Sequence, residues 1–214
     1  MNIKLMAEFF GTALLLAVVT GSGLMGDTLA NGNNAVALLG NSIATGAGLY
    51  VLITLLAPIS GAHFNPVVSL VAWYEKALTV KEFFFYCVCQ FLGAIAGVWI
   101  IHLLFSLPII QSSTKARNGL GIWCSELIAT LVLLSVIRLG VKFRTEQVPM
   151  LIAMTVTAGY WFTSSTFFSN PAVTLARSMT NTFVGIQLTD IIVFISAQLI
   201  ASLLFILLIK ICKK

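Results

Sequence analysis

The sequence predicts an all-α membrane protein with six transmembrane helices and two re-entrant half-helices arranged as an inverted repeat. Composition is the first reason, because 59% of the 214 residues are hydrophobic and only 9% are charged, whereas soluble domains carry about 25% charged residues. The second reason is two short Asn-Pro segments, 63–67 and 169–173, which stand between long apolar stretches. The third is that both halves of the chain carry the same polar residues in the same order.

Six apolar stretches are long enough to cross a bilayer, which takes about 20 residues per helix. They cover residues 5–25, 35–57, 83–106, 121–141, 148–166 and 189–211. The first stretch predicts a permanent span rather than a signal peptide, because Glu8 interrupts it and no small-residue cleavage site stands out. Spans and short loops use nearly every residue, so a single transmembrane domain over 1–214 is expected.

The two Asn-Pro segments each predict the start of a short helix. Asn is a strong N-cap and Pro suits the first helical position. A helix of about ten residues, rising about 1.5 Å per residue, is too short to cross a bilayer. Its unpaired N–H groups are tolerated inside a membrane only where they are buried in protein or line a water-filled cavity. Two such starts, one in each half, indicate a channel or carrier with a solute path between them.

Corresponding polar residues indicate two repeats, about 1–110 and 118–214. The matched pairs are Glu8 with Glu126, Asn65 with Asn170, and Gln90 with Gln198. Each half holds three spans, which is an odd number, so the second half must be inverted relative to the first. Inverted repeats with broken helices that meet near the midplane are a known transport architecture.

The placement of Lys and Arg predicts that both termini are cytoplasmic. The termini share a side with the loops 58–82 and 142–147, and nine of the 12 Lys and Arg residues lie on that side. Positive charge is enriched on the cytoplasmic side of membrane proteins. The compact loops suggest a bacterial inner-membrane protein, with the lipid bilayer as its surroundings.

Several function classes are excluded by composition. The net charge of +5 is not gathered into a basic block with interleaved aromatics, so a nucleic-acid partner is not expected. The four cysteines lie within or beside apolar stretches, which predicts buried thiols rather than a metal site or a disulfide framework. The chain shows no nucleophile–base constellation and no phosphate loop, so we expect no enzyme activity, cofactor or metal.

The motifs together resemble the aquaporin, or major intrinsic protein, family over essentially the whole chain. The matching motifs are Glu8 with Thr12, Ser60-Gly61-Ala62-His63-Phe64-Asn65-Pro66, Gln90 with Gly93-Ala94 and Gly97, Glu126 with Thr130, and Asn170-Pro171-Ala172. The resemblance implies an aquaporin-like fold, two half-helices that meet at the pore centre, and a homotetramer with one pore per subunit. It also implies that Glu8 and Glu126 brace the re-entrant loops; Gln90 and Gln198 are expected to serve the same scaffolding.

A pore of this kind passes small neutral molecules and excludes ions. Asn65 and Asn170 are expected to offer N–H donors to the solute while they cap their helices, and His63 is expected to line the cytoplasmic half. Two facing helix N-termini each carry roughly half a positive charge. These positive ends disfavour the passage of cations, and the loss of hydration is a second barrier to any ion.

Two positions depart from the family pattern. The predicted pore centre consists of Asn65, Pro66, Val67, Asn170, Pro171 and Ala172. Val67 stands where the family usually has Ala, and it either constricts the centre slightly or is a tolerated wall residue. Val173 replaces the Arg that usually follows the second motif, which removes a fixed charge and a fork of five N–H donors. The outer filter is therefore expected to be wider and more apolar.

The remaining filter positions follow from counting without gaps from the Asn-Pro motifs. The count gives Thr45, Ala158 and Phe167, with Gly159 as the alternative to Ala158. Together with Val173, this set matches neither the ordinary water channels nor the glycerol facilitators of the family.

Arg177 lies one helical turn beyond Val173 and on the same face. It either reaches back to the pore mouth, where it replaces part of the missing charge, or lies in the vestibule or at the interface.

The segment Tyr160-Trp161-Phe162-Thr163-Ser164-Ser165-Thr166, followed by Asn170-Pro171-Ala172-Val173, resembles a family branch associated with bacterial arsenic resistance. The substrate implied by that branch is arsenite, As(OH)3, a neutral solute close to glycerol in shape. We therefore expect a passive channel for water and small uncharged solutes that admits glycerol-like solutes and arsenite. A water-selective channel with an atypical filter is one alternative. A proton-coupled secondary carrier that uses Glu8 and Glu126 is the other.

Overall fold

The computed structural model describes residues 2–212, and the regular structure within that range is entirely helical. The helices are α1 (Ile3–Leu29), α2 (Asn34–Ser60), α3 (Pro66–Tyr74), α4 (Val80–Leu104), α5 (Leu120–Phe143), α6 (Val148–Phe162), α7 (Pro171–Arg177) and α8 (Leu188–Cys212). A single 3-10 turn, Thr145–Gln147, joins α5 to α6. The domain predicted over 1–214 includes Met1, Lys213 and Lys214, which lie outside the described residues.

Five helices (α1, α2, α4, α5 and α8) are long and apolar enough to cross a membrane. The span predicted over 148–166 is shorter in the structure, because α6 has 15 residues and ends at Phe162. The hydroxyl of Thr163 donates to the Gly159 carbonyl at 2.6 Å, and Thr166 has a left-handed backbone with φ of 60°. Thr163 itself has an extended backbone, with φ of −112° and ψ of 133°, so the helix stops at Phe162 and the hydroxyl-bearing residues 163–166 lie outside it.

Small residues allow α1 and α4 to approach closely. A Cβ atom at Gly93 would overlap the backbone carbonyl of Phe9, and one at Gly97 would overlap that of Ala13. Close backbone contact of this kind is the main source of helix association in membranes, where burial of apolar surface supplies little. In the other half, α5 packs on α8, and α6 bridges α2 and α5.

The two half-helices begin where the Asn-Pro motifs predict. The side-chain oxygen of Asn65 accepts a hydrogen bond from the N–H of Val67 at 3.0 Å, and that of Asn170 accepts one from Ala172 at 2.9 Å. The helices α3 and α7 have nine and seven residues, close to the ten expected. Both contact α4 and α8, which places them between the long helices of the two halves.

The loops that lead into the half-helices are strained in the same way. In the first loop, Ala62 and Phe64 have φ near 50°, and they lie three residues and one residue before Asn65. In the second loop, the residues at the same two positions before Asn170 are Phe167 and Ser169, with φ of 55° and 47°. A left-handed conformation costs an L-residue about 1–2 kcal/mol. Each loop therefore needs strong bonds from its surroundings to hold its shape.

The four cysteines are free thiols. The prediction of buried thiols is wrong, because Cys87 and Cys89 are only half-buried and Cys124 and Cys212 are exposed. Cys124 lies on the outward side of α5 and Cys212 ends α8, so apolar neighbours in the sequence do not bury them.

Candidate pore and outer filter

Two adjoining cavities lie in the interior of the helix bundle. The main cavity has a volume of about 950 Å³ and extends from the side of the two chain termini, hereafter the terminal side, to the region around Phe167 and Val173. A second cavity of about 250 Å³, the distal vestibule, opens toward the opposite or distal side. Tyr160 and Arg177 line both cavities and therefore form the boundary between them.

Asn65 and Asn170 lie at the middle of the main cavity and hold each other's loops. The side-chain amide of Asn65 donates to the carbonyl of Ser169, and that of Asn170 donates to the carbonyl of Phe64, both at 2.8 Å. Each amide group carries two N–H donors. One is used in the reciprocal bond, so the other is available to a solute in the cavity.

Val67 does not narrow the main cavity. Its side chain is fully buried, and the cavity wall on this helix is formed by Val68 and Val71 instead. Pro66, Pro171 and Ala172 are also buried behind the two Asn side chains. The substitution of the usual Ala is thus accommodated within the protein interior.

Glu8 fastens the first re-entrant loop through four hydrogen bonds. One carboxylate oxygen accepts from the Ser60 hydroxyl at 2.7 Å and from the His63 N–H at 3.0 Å. The other accepts from the Phe64 N–H and from the Gln90 side chain, both at 2.8 Å. The carboxylate is completely buried, and its bonds satisfy the strained segment just before Asn65.

Glu126 and Gln198 form the corresponding arrangement in the second half. Glu126 accepts from the N–H of Ser169, and from the Gln198 side chain at 2.7 Å. Gln198 also donates to the hydroxyl of Thr174 at 2.9 Å, just as Gln90 donates to that of Ser69. The two glutamates lie behind the loops, and neither is among the residues that line the main cavity.

His63 lines the terminal half of the main cavity. Its Nδ1 atom lies 3.0 Å from the Ser69 hydroxyl, and its ring contacts the edge of Tyr86 with ring centroids 5.4 Å apart. The side chain is therefore held in one orientation at the cavity wall.

Thr45, Phe167 and Val173, three of the positions given by the count from the motifs, all line the main cavity. The prediction for Ala158 is wrong, because Ala158 is exposed on the outer face of α6. The alternative, Gly159, is buried against the ring of Phe167 with no room for a Cβ atom. Counting without gaps fails here because α6 ends early and the loop to Asn170 is irregular.

Tyr160 occupies the cavity face of α6 and was not predicted as a filter residue. The cavity face follows a spacing of four through Ile152, Val156 and Tyr160, which is the helical period. The Tyr160 hydroxyl lies 3.2 Å from that of Thr45. Helical periodicity in α6 is the signal that would have identified it.

Arg177 is buried where the two cavities meet. Its side chain is 2% exposed, its guanidinium lies 3.5 Å from the centre of the Phe168 ring, and its Nε donates to the Val184 carbonyl. It lies at the boundary of the two cavities, one helical turn from Val173, where it lines both of them. Lys115 and Arg117, from the loop after α4, join it in the vestibule and had no signal in the sequence.

The chain is similar to known channel proteins. Residues 2–209 match the model of the family described as major intrinsic protein. An aquaglyceroporin AqpS from Rhizobium meliloti (strain 1021) is 49% identical over 93% of this chain and 85% of its own length. A glycerol uptake facilitator protein from Pseudomonas aeruginosa is 34% identical over 53% of this chain and 39% of its own length.

The fold is also found among solved structures. The aquaglyceroporin from Plasmodium falciparum superimposes with a TM-score of 0.75 at 21% identity, covering 95% of this chain and 93% of that chain. The family match spans nearly all described residues, and the fold and the paired Asn-Pro helices agree with it. The chain therefore belongs to the major intrinsic protein family.

Proposed function

We propose that this protein is a passive channel, without catalytic activity, for water and small uncharged solutes such as glycerol and arsenite. The observation that carries the proposal is the pair Asn65 and Asn170, which present free amide donors at the middle of a cavity with largely aliphatic walls. A neutral solute exchanges its water contacts for these donors and for loop carbonyls. An ion loses far more hydration free energy in the same passage.

The outer filter in this proposal consists of Thr45, Phe167, Val173, Tyr160 and the boundary residue Arg177. Val173 adds an apolar wall where an arginine would project donors, and the two hydroxyls of Thr45 and Tyr160 supply polar contacts in the same cavity. A hydroxyl-rich neutral solute suits this mixture. Both glycerol and As(OH)3 carry three hydroxyl groups, which is the shared chemistry that extends the proposal to arsenite.

Arg177 favours one alternative, a water-selective channel. Because its guanidinium lies at the boundary of the two cavities, it could narrow the path that Val173 leaves open. Selection would then depend on Arg177 and Tyr160 rather than on the usual position.

The proposed setting is a bacterial inner membrane, with both termini cytoplasmic and four copies assembled as a homotetramer. The two repeats, about 1–110 and 118–214, would be inverted relative to each other. The matching bonds of Glu8 and Glu126, and of Gln90 and Gln198, support this symmetry. The similar aquaglyceroporin from a rhizobial bacterium supports a bacterial setting.

The test is stopped-flow light scattering on proteoliposomes, with water, glycerol and As(OH)3 supplied in turn. A passive channel gives flux that rises linearly with the gradient and does not respond to a proton gradient. Passage of water alone would favour the water-selective alternative. Saturable uptake that follows a proton gradient would overturn the channel proposal.

A further inference from the structure

The distal vestibule gathers three cationic side chains around one small cavity. Lys115 and Arg117 come from the loop between α4 and α5, and Arg177 comes from the end of α7. The hydroxyl-bearing residues Tyr160 and Thr166 complete its polar wall. The volume of about 250 Å³ is large enough to hold several water molecules.

Arg177 directs unused donors into this cavity. It is 2% exposed, and its Nε donates to Val184. Within residues 2–212, neither of its terminal nitrogens donates to a protein acceptor. Arg177 lines both cavities, so these nitrogens are available to a ligand there. A guanidinium presents five N–H donors in a planar fork. A buried arginine with most of that fork unused is well prepared to bind an anion with several oxygen atoms.

Arg117 and Lys115 are fixed beside it by backbone carbonyls. Arg117 donates through Nε to Gly185 at 2.8 Å, and Lys115 donates to Phe183 at 2.6 Å. The guanidinium of Arg117 also lies 5.1 Å from the Phe168 ring, whose face already carries Arg177. Carbonyls and an aromatic face hold the three cations together, but they do not neutralise them.

The carboxylates near the vestibule do not line it. Among residues 2–212, the cavity wall contains no Asp or Glu side chain. Asp190 accepts a hydrogen bond from the backbone N–H of Arg117 rather than from its guanidinium. Glu126 is completely buried behind the second re-entrant loop, where it accepts a hydrogen bond from the Ser169 N–H. The cavity therefore has three positive charges facing one space without a matching negative charge on its wall.

We propose that the distal vestibule is a binding site for a small soluble oxyanion, held by Arg177, Arg117 and Lys115. Because Arg177 and Tyr160 also line the pore, a bound oxyanion lies over the pore mouth and reduces the flux of neutral solutes. The cavity continues the pore rather than facing the lipid, so the ligand arrives from the aqueous phase. Only the effect on flux depends on the channel function proposed above.

Sulfate is a suitable probe because it keeps its charge over the working pH range. The first measurement is the thermal stability of the purified protein in a neutral detergent, with sulfate exchanged for chloride at constant ionic strength. A ligand that binds only the folded state raises the unfolding temperature in a saturable manner. The second is glycerol flux in proteoliposomes with sulfate on the distal side.

Two vestibule variants and one matched control separate a specific site from general charge. Lys115→Gln and Arg117→Gln each remove one cation, and each should weaken the apparent affinity for sulfate about tenfold, as expected for loss of a charge-assisted hydrogen bond. Lys81→Gln makes the same charge change on the terminal side, where Lys81 is exposed at the start of α4. It should leave the sulfate effect intact.

Saturable stabilisation by sulfate that is weakened in both vestibule variants but not in Lys81→Gln would support the site. Absence of stabilisation, or an equal loss in Lys81→Gln, would overturn it. Stabilisation without any reduction of flux, in a protein that does pass glycerol, would overturn the placement over the pore. If the protein binds sulfate but passes no solute, the binding site stands and the proposed channel function fails.

Discussion

Asn65 and Asn170 each donate to the backbone carbonyl of the residue that precedes the other, both at 2.8 Å. At the same time each accepts N–H bonds from the first turn of its own half-helix. The two half-helices are thereby joined through a closed set of bonds at the middle of the main cavity. A change in one Asn should consequently loosen both loops.

Replacement of Asn65 by Asp tests this coupling, because Asp keeps the capping oxygen but loses the amide donor. We expect Asn65→Asp to lower the free energy of unfolding by about 1–3 kcal/mol, since the Ser169 carbonyl loses its buried partner. Thermal unfolding in detergent measures the loss. The control is Asn33→Asp at the exposed start of α2, where Asn33 acts only as an acceptor for Ala35 and Val36. Equal destabilisation by both changes would contradict the coupling.

Introduction of an arginine at Val173 tests the outer filter. A guanidinium at this position projects into the distal end of the main cavity, so Val173→Arg should reduce glycerol and arsenite flux about tenfold relative to water, equivalent to about 1.4 kcal/mol. Stopped-flow light scattering measures all three solutes. Val173→Leu enlarges the side chain without a charge and separates size from charge. Unchanged glycerol and arsenite flux in Val173→Arg would show that Val173 does not determine selectivity.

Local signals in the sequence predict the framework of this fold well. The starts of α3 and α7 follow from Asn and Pro chemistry that involves only neighbouring residues, and both are confirmed at Pro66 and Pro171. Long apolar runs likewise predict the transmembrane helices, because hydrophobic length is a property of one segment. These predictions need no knowledge of distant contacts.

Predictions that depend on distant contacts succeed less well. The end of α6 depends on the backbone conformation at Thr163, and the irregular segment from there to Asn170 upsets the count, which selects Ala158 although the cavity face of α6 carries Tyr160. The vestibule combines Lys115 and Arg117 from one loop with Arg177 from α7. The segments that carry Lys115 and Arg117 have no periodic pattern, so the sequence contains no local signal that brings these cations together.

Neutralisation of Glu8 distinguishes a scaffold from a proton site. In Glu8→Gln, the new amide N–H must face the His63 N–H in one orientation of the side chain or the Phe64 N–H in the other, and both of these groups are donors. We expect a loss of about 2–3 kcal/mol in the free energy of unfolding, in the range for bonds to charged groups and for unsatisfied buried donors. Glu146→Gln, at an exposed residue, is the control for loss of charge. A stable Glu8→Gln protein that loses only proton-dependent transport would support the carrier instead.

Close approach of α1 and α4 should be sensitive to one added methyl group. In Gly97→Ala, the Cβ atom overlaps the Ala13 carbonyl, and relief requires movement of a whole helix. Overpacking of this kind typically costs about 1–3 kcal/mol. Gly40→Ala in α2 is the matched control, since a Cβ atom there meets nothing within 4 Å. Unfolding temperatures measured side by side should fall only for Gly97→Ala; an equal response would contradict the packing argument.

The charge of Lys115 should make oxyanion binding depend on pH. Burial, together with the nearby charges of Arg117 and Arg177, lowers the pKa of Lys115 from 10.5 to about 8, although Asp27 acts in the opposite direction. Below that pKa the ammonium is charged and contributes to binding, and above it the side chain is neutral. The affinity for sulfate should therefore fall as the pH rises through about 8, because sulfate itself does not titrate there.

The measurement is sulfate stabilisation of the protein at a series of pH values on either side of that pKa. Lys115→Gln has no ammonium to titrate, so its weaker sulfate binding should stay constant over the same range, while Lys81→Gln should follow the wild type. A wild-type affinity that does not change with pH would show that Lys115 makes no electrostatic contribution to the site. A steep pH dependence that persists in Lys115→Gln would assign the titration to another group in the vestibule.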